Sequence, residues 1–484
     1  MLLPLPARHE TSSQTLDPGV EEDVRAKVSD SLRAPQGKMA RWFLVLILVL
    51  YVLLAVGYSL GTPPWEAPDE PSHYLYSEYL AAHGSLPPEA PPLRGNYWED
   101  GFVTSLYEWF QPPLYYALIA PQIGLANLLR PGTIPQAFPP VDPAFPEQVR
   151  KLFASLPDPS FEAPGLRLVR FFSVALGLCT LVVVYRMAML ASGGEQAAAL
   201  MATGMMAFIP QYTFLSGYVT SDNLALLLSA LCLLVFLHLL SPADGRVLRL
   251  VAGAGVLLAL AFYTKFTLLF LLPLGLFCLL LRLAHHGSVG QWLLESSVLV
   301  GVAVVPFVLG LLILPGMRDQ LAYAYRYLQV KPALISVAYL VGLWPETYTS
   351  FWGTFGWMNV STPRWIANAL TVITAAGLFG SLILLARGTR RPAMPSLRPS
   401  LLLLWTACGL VAIGFIRFNL SMRQPQGRFL FAALPALVIL VALGYRFLAG
   451  RRFAVVGVSI VLLTLIANLV SLFGSLLPAY AAPF

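Results

Sequence analysis

Between Pro64 and Gly84 the chain reads Pro-Trp-Glu-Ala-Pro-Asp-Glu-Pro-Ser-His-Tyr-Leu-Tyr-Ser-Glu-Tyr-Leu-Ala-Ala-His-Gly, placing two carboxylates and an imidazole between Asp69 and His73. A short helix starting near Asp69 and stopping at Gly84 would align Asp69, His73 and Ser77 on one face, with Glu70 adjacent. Asp69 could serve only as an N-cap, with Pro71 tolerated in the first turn and Glu70 favoured by the helix dipole. Capping alone, however, does not call for Asp-Glu-x-x-His. A carboxylate held beside lipid is partly desolvated, which raises its proton affinity and suits it to general-base work on a hydroxyl. Asp69 is the first choice for that base and Glu70 the second, with His73 as a substrate contact. The same three residues could hold a divalent cation, but three ligands on one turn without a second cluster make a poor cage. No metal and no cofactor are expected.

Other candidates lie far along the chain. Asp222 and Asn223 follow Ser216-Gly-Tyr-Val-Thr-Ser221 at the mouth of an apolar run, where a plain helix cap is the competing explanation. Lys265 sits in Phe262-Tyr-Thr-Lys-Phe-Thr267 between two apolar runs, as a snorkelling lysine also would. Arg417, Arg423 and Arg428 surround Asn419-Leu-Ser-Met-Arg-Gln-Pro-Gln-Gly427 and would suit an anion. Arg428 opens a helix, so its guanidinium and the free N–H groups there could converge on a phosphate, or contact lipid headgroups only. Trp352 belongs to an aromatic stretch from Trp344 to Trp357 that could stack on a sugar ring or form an interfacial belt.

What must position these residues is a membrane fold. The 484 residues are 57% hydrophobic and 11% charged, with a mean hydropathy of +0.70, which excludes an ordinary soluble domain. The fold class expected is all-α: a polytopic membrane protein of about eleven transmembrane helices, within a range of about ten to thirteen. The spans read as 41–60, 168–191, 196–212, 220–240, 247–264, 267–284, 294–315, 365–386, 399–417, 428–448 and 453–476. Residues 1–40 read as a disordered cytoplasmic tail and 41–484 as the transmembrane domain. Cys179, Cys232, Cys278 and Cys408 all fall in apolar runs and have no metal-binding spacing. The net charge of +7 resides at span ends, so nucleic acid is not an expected partner.

The 61–166 segment holds 20 of the 39 prolines and many acidic residues, and reads as a large, proline-stiffened first loop. Within it, Pro112–Leu129 is uncharged; Pro112, Pro113, Pro121 and the pair Tyr115 and Tyr116 suit an interfacial helix better than a span. If it does not span, eleven arginines fall in five short cytoplasmic loops, as the positive-inside rule favours. The N-terminus is then cytoplasmic. The 61–166 loop, the turn at Asp222, Lys265, the 316–364 loop and the 417–428 turn then all face outward.

The pattern resembles the GT-C superfamily of membrane glycosyltransferases, most closely its bacterial branch long listed as a domain of unknown function. The residues that carry the resemblance are Pro68-Asp-Glu-Pro-Ser-His73, Gln111-Pro-Pro-Leu-Tyr-Tyr116, Arg170-Phe-Phe-Ser173, Thr220-Ser-Asp-Asn223, Ser350-Phe-Trp-Gly-Thr-Phe-Gly-Trp357 and Gln426-Gly-Arg-Phe-Leu-Phe-Ala-Ala-Leu-Pro435. The resemblance implies a GT-C-like fold with juxtamembrane helices in the first outer loop, which also carries the catalytic carboxylate. It implies a polyprenyl-phosphate-linked sugar as donor, with transfer and inversion on the outer face of the cytoplasmic membrane. It also brings Arg170 into the substrate-binding set. Partners would be that donor, the lipid bilayer and a glycan, lipid or protein acceptor. Two other readings are a polytopic transporter or flippase of lipid-linked sugar, and an envelope polysaccharide polymerase or ligase. The spans, almost free of charge between their ends, disfavour transport.

Overall fold

The computed structural model describes residues 18–88, 108–129, 164–240, 247–286, 288–327, 329, 336–387 and 397–481. Parts of both large loops, 89–107, 130–163 and 330–335, lie outside the described residues. The chain divides into two compact units, Met1–Leu46 and Ile47–Phe484. In the first unit, helix begins at Pro18 and runs on as far as Gly61. Residues 18–40, expected to be disordered, are therefore helical.

Everything that follows lies in the second unit, apart from the N-terminal part of the first span. Among the described residues, eight helices are long and apolar enough to cross a membrane, or nine when one bent pair counts as a single span. Two of the expected eleven spans account for the difference. The expected 247–264 span forms the shorter apolar helix Val247–Phe262. The expected 428–448 and 453–476 spans form one helical stretch, Gly427–Ala481, which contains the helices Leu434–Ala449 and Phe453–Ser471. Between those two, Gly450 adopts φ +52°.

The bent pair, Gln196–Ala207 and Pro210–Ser216, turns by 68°. Pro210 lacks an N–H and disfavours helix in the residue before it, so the ladder breaks at Phe208 and Ile209. Asn468 repairs the break: its Nδ2 donates to the Phe208 carbonyl at 3.2 Å and to Thr213 Oγ1 at 2.7 Å. In an apolar medium a carbonyl left without such a donor would cost about 1–3 kcal/mol. The repaired bend delivers Tyr218, Val219 and Asp222 to the end of the bundle where the charged groups meet.

The expected first loop contributes two helices shorter than the eight of spanning length. Glu70–His83 ends at Gly84, whose φ of +64° closes the helix through its N–H to Leu80. Leu114–Leu129 packs against it and against Pro164–Ala191. The contact between the two loop helices is aromatic: Tyr76 stacks on Tyr116 at 3.7 Å, and both are fully buried. A two-stranded antiparallel hairpin, Thr354–Phe355 with Val360–Ser361, follows the Val337–Trp352 helix. Its Thr354 N–H donates to Gln211 Oε1 at 2.7 Å, tying the hairpin to the bent pair.

Candidate active site

Asp69 occupies the residue before the Glu70–His83 helix but does not cap it. Its φ is +64°, and its side chain makes no hydrogen bond to the helix backbone. The left-handed backbone is one that Asp tolerates better than most residues. The carboxylate instead forms an ion pair with Arg428. Trp65, four residues earlier, also has a positive φ, +68°. For a bulky aromatic this is a strained conformation, held here by its surroundings. Its ring is buried against Tyr74, its N–H donates to Glu70 Oε2 at 3.2 Å, and its carbonyl accepts from Trp357 Nε1 at 2.9 Å.

Arg428 is buried at the start of the 3₁₀ helix Gly427–Ala433. Besides Asp69 it contacts Gln426 Oε1 at 2.7 Å, Tyr218 Oη at 3.1 Å and Asp222 Oδ2 at 4.0 Å. Asp222 in turn pairs with Lys265, which precedes the 3₁₀ helix Phe266–Phe270. Four separate stretches of chain thus bring two acids and two bases together. A cavity of ≈ 20 Å³ beside them is lined by Leu215, Asp222, Thr267, Arg428 and Phe429.

Gly427 is what lets the Arg428 turn approach: a Cβ there would lie 2.3 Å from the Phe351 backbone nitrogen. The Gly427 N–H, expected to be free for a phosphate, donates to Ser350 Oγ at 2.8 Å. Anion binding at this helix end would therefore fall to the guanidinium.

Glu70, beside Asp69 in the chain, is enclosed differently. Its Oε1 accepts from Arg170 Nε at 2.8 Å and from the Val219 N–H at 3.1 Å. Its Oε2 accepts from Arg170 Nη2 at 2.6 Å and from the Trp65 N–H. The remaining Arg170 donors reach the carbonyls of Ser59 at 2.8 Å, Thr62 at 2.7 Å and Pro63 at 3.0 Å. Every acceptor direction of the carboxylate and every donor of the guanidinium is used. In this arrangement neither group has capacity left for substrate.

His73 is also buried, with Nδ1 and Tyr116 Oη 2.8 Å apart. Burial, chiefly, pushes its pKa down to about 3; Lys265 and Arg428 act the same way, and Asp69 and Asp222 oppose them. Asp69, Glu70 and His73 thus face three different partners and do not converge as a ligand set. Among the described residues no group of three His, Cys, Asp or Glu side chains could hold a metal ion.

Three further candidates stand apart from the cluster. Arg417 donates to Ser421 Oγ at 2.6 Å, and Arg423 pairs with Glu346 at 3.5 Å, both half-exposed. Trp352 is buried, with Nε1 donating to Thr371 Oγ1 at 2.8 Å. Two participants went unnoticed in the sequence: Tyr218, which hydrogen-bonds Arg428, and Glu108. Burial first, and Asp69 next, raise the Glu108 pKa to about 7, while Lys265 and Arg428 counteract. Only its place three residues ahead of Gln111-Pro-Pro-Leu-Tyr-Tyr116 marks it in the sequence.

Residues 161–311 match the family described as dolichyl-phosphate-mannose-protein mannosyltransferase. That match covers about a third of the chain. The matched segment includes Arg170, Asp222 and Lys265; Asp69, Glu108 and Arg428 lie outside it. No curated protein matches the sequence.

Solved structures similar to the chain include ArnT from Cupriavidus metallidurans bound to undecaprenyl phosphate. It is 16% identical, with 92% of this chain and 74% of that one covered and a TM-score of 0.47. The archaeal oligosaccharyltransferase AglB from Archaeoglobus fulgidus, with an inhibitory peptide and a dolichol-phosphate, is 14% identical, covering 91% and 56% at a TM-score of 0.46. The S. cerevisiae protein O-mannosyltransferase Pmt1–Pmt2 complex bound to the sugar donor is 18% identical, covering 63% and 35% at 0.37. At these TM-scores the likenesses carry no inference about individual residues.

Proposed function

We propose that the protein moves a hexose or pentose from a polyprenyl-phosphate carrier to a hydroxyl of a glycan, lipid or protein, on the outer face of the cytoplasmic membrane. The observation that carries this reading is the diversion of Asp69 from its capping position into a cluster with Arg428, Asp222 and Lys265. The family description, with its dolichyl-phosphate-mannose donor, supports the same donor class.

Arg428 and Lys265 are the cations that the carrier phosphate would meet. With both already paired to carboxylates, an arriving phosphate competes with Asp69 and Asp222 for them. As Arg428 turns toward the phosphate, Asp69 loses its counter-ion and becomes a stronger base. Asp69 then removes the acceptor proton while the acceptor oxygen attacks the anomeric carbon opposite the phosphate. The bond to phosphate oxygen breaks, its electron pair stays on the phosphate, and the two cations stabilise the growing charge. A single displacement inverts the anomeric centre. Glu70 and Arg170 hold the loop that presents Asp69, and touch no substrate.

Deleting the gene should cause one polyprenyl-phosphate-linked sugar to accumulate while one envelope glycan loses that sugar. Unchanged lipid-linked sugars and glycans would overturn the reading. Sidedness is checked with the four native cysteines replaced. A membrane-impermeant thiol reagent applied from outside should label Ala82→Cys and Arg423→Cys, and should spare Arg451→Cys.

A further inference from the structure

Tyr218 carries the end of the bent pair into the charged cluster. Its ring is buried and packs on Phe214 with the centroids 5.0 Å apart, and its carbonyl accepts from Asn223 Nδ2 at 3.3 Å. The next residue, Val219, donates its N–H to Glu70 Oε1 at 3.1 Å, so the same backbone is fastened to the Glu70–Arg170 pair. The ring is held in place, and the torsion left to turn is that of the O–H.

Arg428 Nη1 donates to Tyr218 Oη at 3.1 Å. A guanidinium accepts nothing, so this bond uses a lone pair of the hydroxyl and leaves its proton unspent. Among the described residues that proton has no acceptor. Other buried tyrosines behave differently: Tyr51, Tyr58, Tyr76 and Tyr212 each donate to a backbone carbonyl, while the hydroxyls of Tyr74 and Tyr115 have no partner at all. In Tyr218 the oxygen is engaged by a cation and the donor is buried and unused. A buried donor without an acceptor costs free energy, so its retention beside the cluster asks for a use.

Arg428 sets the direction from which an acceptor would come. Its Nε donates to Gln426 Oε1, its Nη2 pairs with Asp69, and its Nη1 lies between Tyr218 Oη and Asp222 Oδ2, the latter 4.0 Å away. With Nε held by a residue of its own turn, the edge open to exchange is the one formed by Nη1 and Nη2, which suits two oxygens of a phosphate. A phosphate on that edge lies against the nitrogen that Tyr218 touches, and rotation of the O–H brings its proton onto a phosphate oxygen.

We propose that the Tyr218 hydroxyl is a third donor to the carrier phosphate, alongside Arg428 and Lys265, and that it acts mainly on the charge the phosphate gains as the sugar leaves. This rests on the function proposed above. The proton stays on Tyr218 throughout. Its hydrogen bond strengthens as the bond between the anomeric carbon and phosphate oxygen breaks and the electron pair collects on phosphate.

Tyr218→Phe keeps the ring and removes the hydroxyl. In proteoliposomes its kcat for sugar transfer should fall about 10²-fold, with KM for the lipid-linked donor little changed. Affinity for undecaprenyl phosphate, which carries the fully developed charge, should fall about tenfold. Loss of an acceptor for Arg428 would act in the same direction, so the sign is taken from Tyr218→3-fluorotyrosine in the full-length protein, at about pH 6, where a phenol stays protonated. Fluorine makes the O–H a stronger donor and its oxygen a weaker acceptor. That variant should bind undecaprenyl phosphate more tightly than wild type. Equal or weaker binding would show that Tyr218 serves Arg428 as an acceptor only, and overturns the proposal, as does a wild-type kcat in Tyr218→Phe. Wild-type protein that does not bind undecaprenyl phosphate would instead overturn the function itself, and this proposal with it.

Discussion

Asp69 and Glu70 are joined by one peptide bond and each faces an arginine, but their surroundings differ in kind. Glu70 and Arg170 have side chains 0% and 4% exposed and exchange two short hydrogen bonds, with backbone groups filling the remainder. Asp69 is 23% exposed, and its arginine is shared with Tyr218, Gln426 and Asp222. A pair with every donor and acceptor used is a fixed joint. A shared arginine beside a cavity can exchange one anion for another. Residue type alone does not separate the two carboxylates; saturation of hydrogen bonding does, and it leaves Asp69 as the one proposed for chemistry.

The sharpest way to break the comparison is at the joint. Arg170→Ala leaves Glu70 charged and buried without its partner, a change that costs about 3–5 kcal/mol. Little folded protein should survive, as size-exclusion chromatography and thermal melts would record. A well-folded Arg170→Ala variant would remove the distinction between the two pairs.

Substitution in the cluster should act on binding instead. Lys265→Met removes one of two cations facing the proposed phosphate, and a charge-assisted hydrogen bond contributes about 1.5–3 kcal/mol. Affinity for polyprenyl phosphate in proteoliposomes should fall about 10- to 100-fold, while Asp222 keeps Arg428, 4.0 Å away, as its remaining counter-ion. Equal affinity would exclude Lys265 from phosphate binding.

Much of the cluster was legible in the sequence because Asp69, Asp222, Lys265 and Arg428 sit at ends of apolar runs, and charge bias assigned those ends to one side. What stayed hidden depends on contacts between distant segments. Glu70 reads as a second base until Arg170, one hundred residues away, is seen to occupy it. The positive φ at Asp69 leaves no mark in Pro68-Asp-Glu-Pro71, since Asp is also a good cap. Glu108 shows no periodicity or motif of its own. Span boundaries failed where proline acts locally: the expected 196–212 span bends ahead of Pro210. The helix expected from Arg428 becomes α-helical only at Leu434, where Pro435 suits the first turn.

Smaller effects sharpen the same contrast. His73 is buried and neutral, so His73→Gln should leave the pH dependence of turnover between about pH 5 and 8 unaltered. Its folded pKa of about 3 lies below the ordinary 6.5. Between those values the unfolded chain binds more protons, and wild-type stability falls as pH falls through that window. Thermal melts across it should show a smaller acid loss in His73→Gln; an equal loss would contradict the buried neutral imidazole. Least of all, Arg423→Ala breaks a pair whose side chains are 57% and 46% exposed. It should change stability by no more than about 1 kcal/mol, and transfer should be unaffected.

Whether Asp69 performs chemistry is decided by Asp69→Asn in proteoliposomes supplied with a polyprenyl-phosphate-linked sugar and its acceptor. The variant should fold, bind polyprenyl phosphate and transfer sugar about 10²- to 10⁴-fold more slowly than wild type. Transfer at the wild-type rate by that folded variant would contradict the assignment of Asp69 as the base.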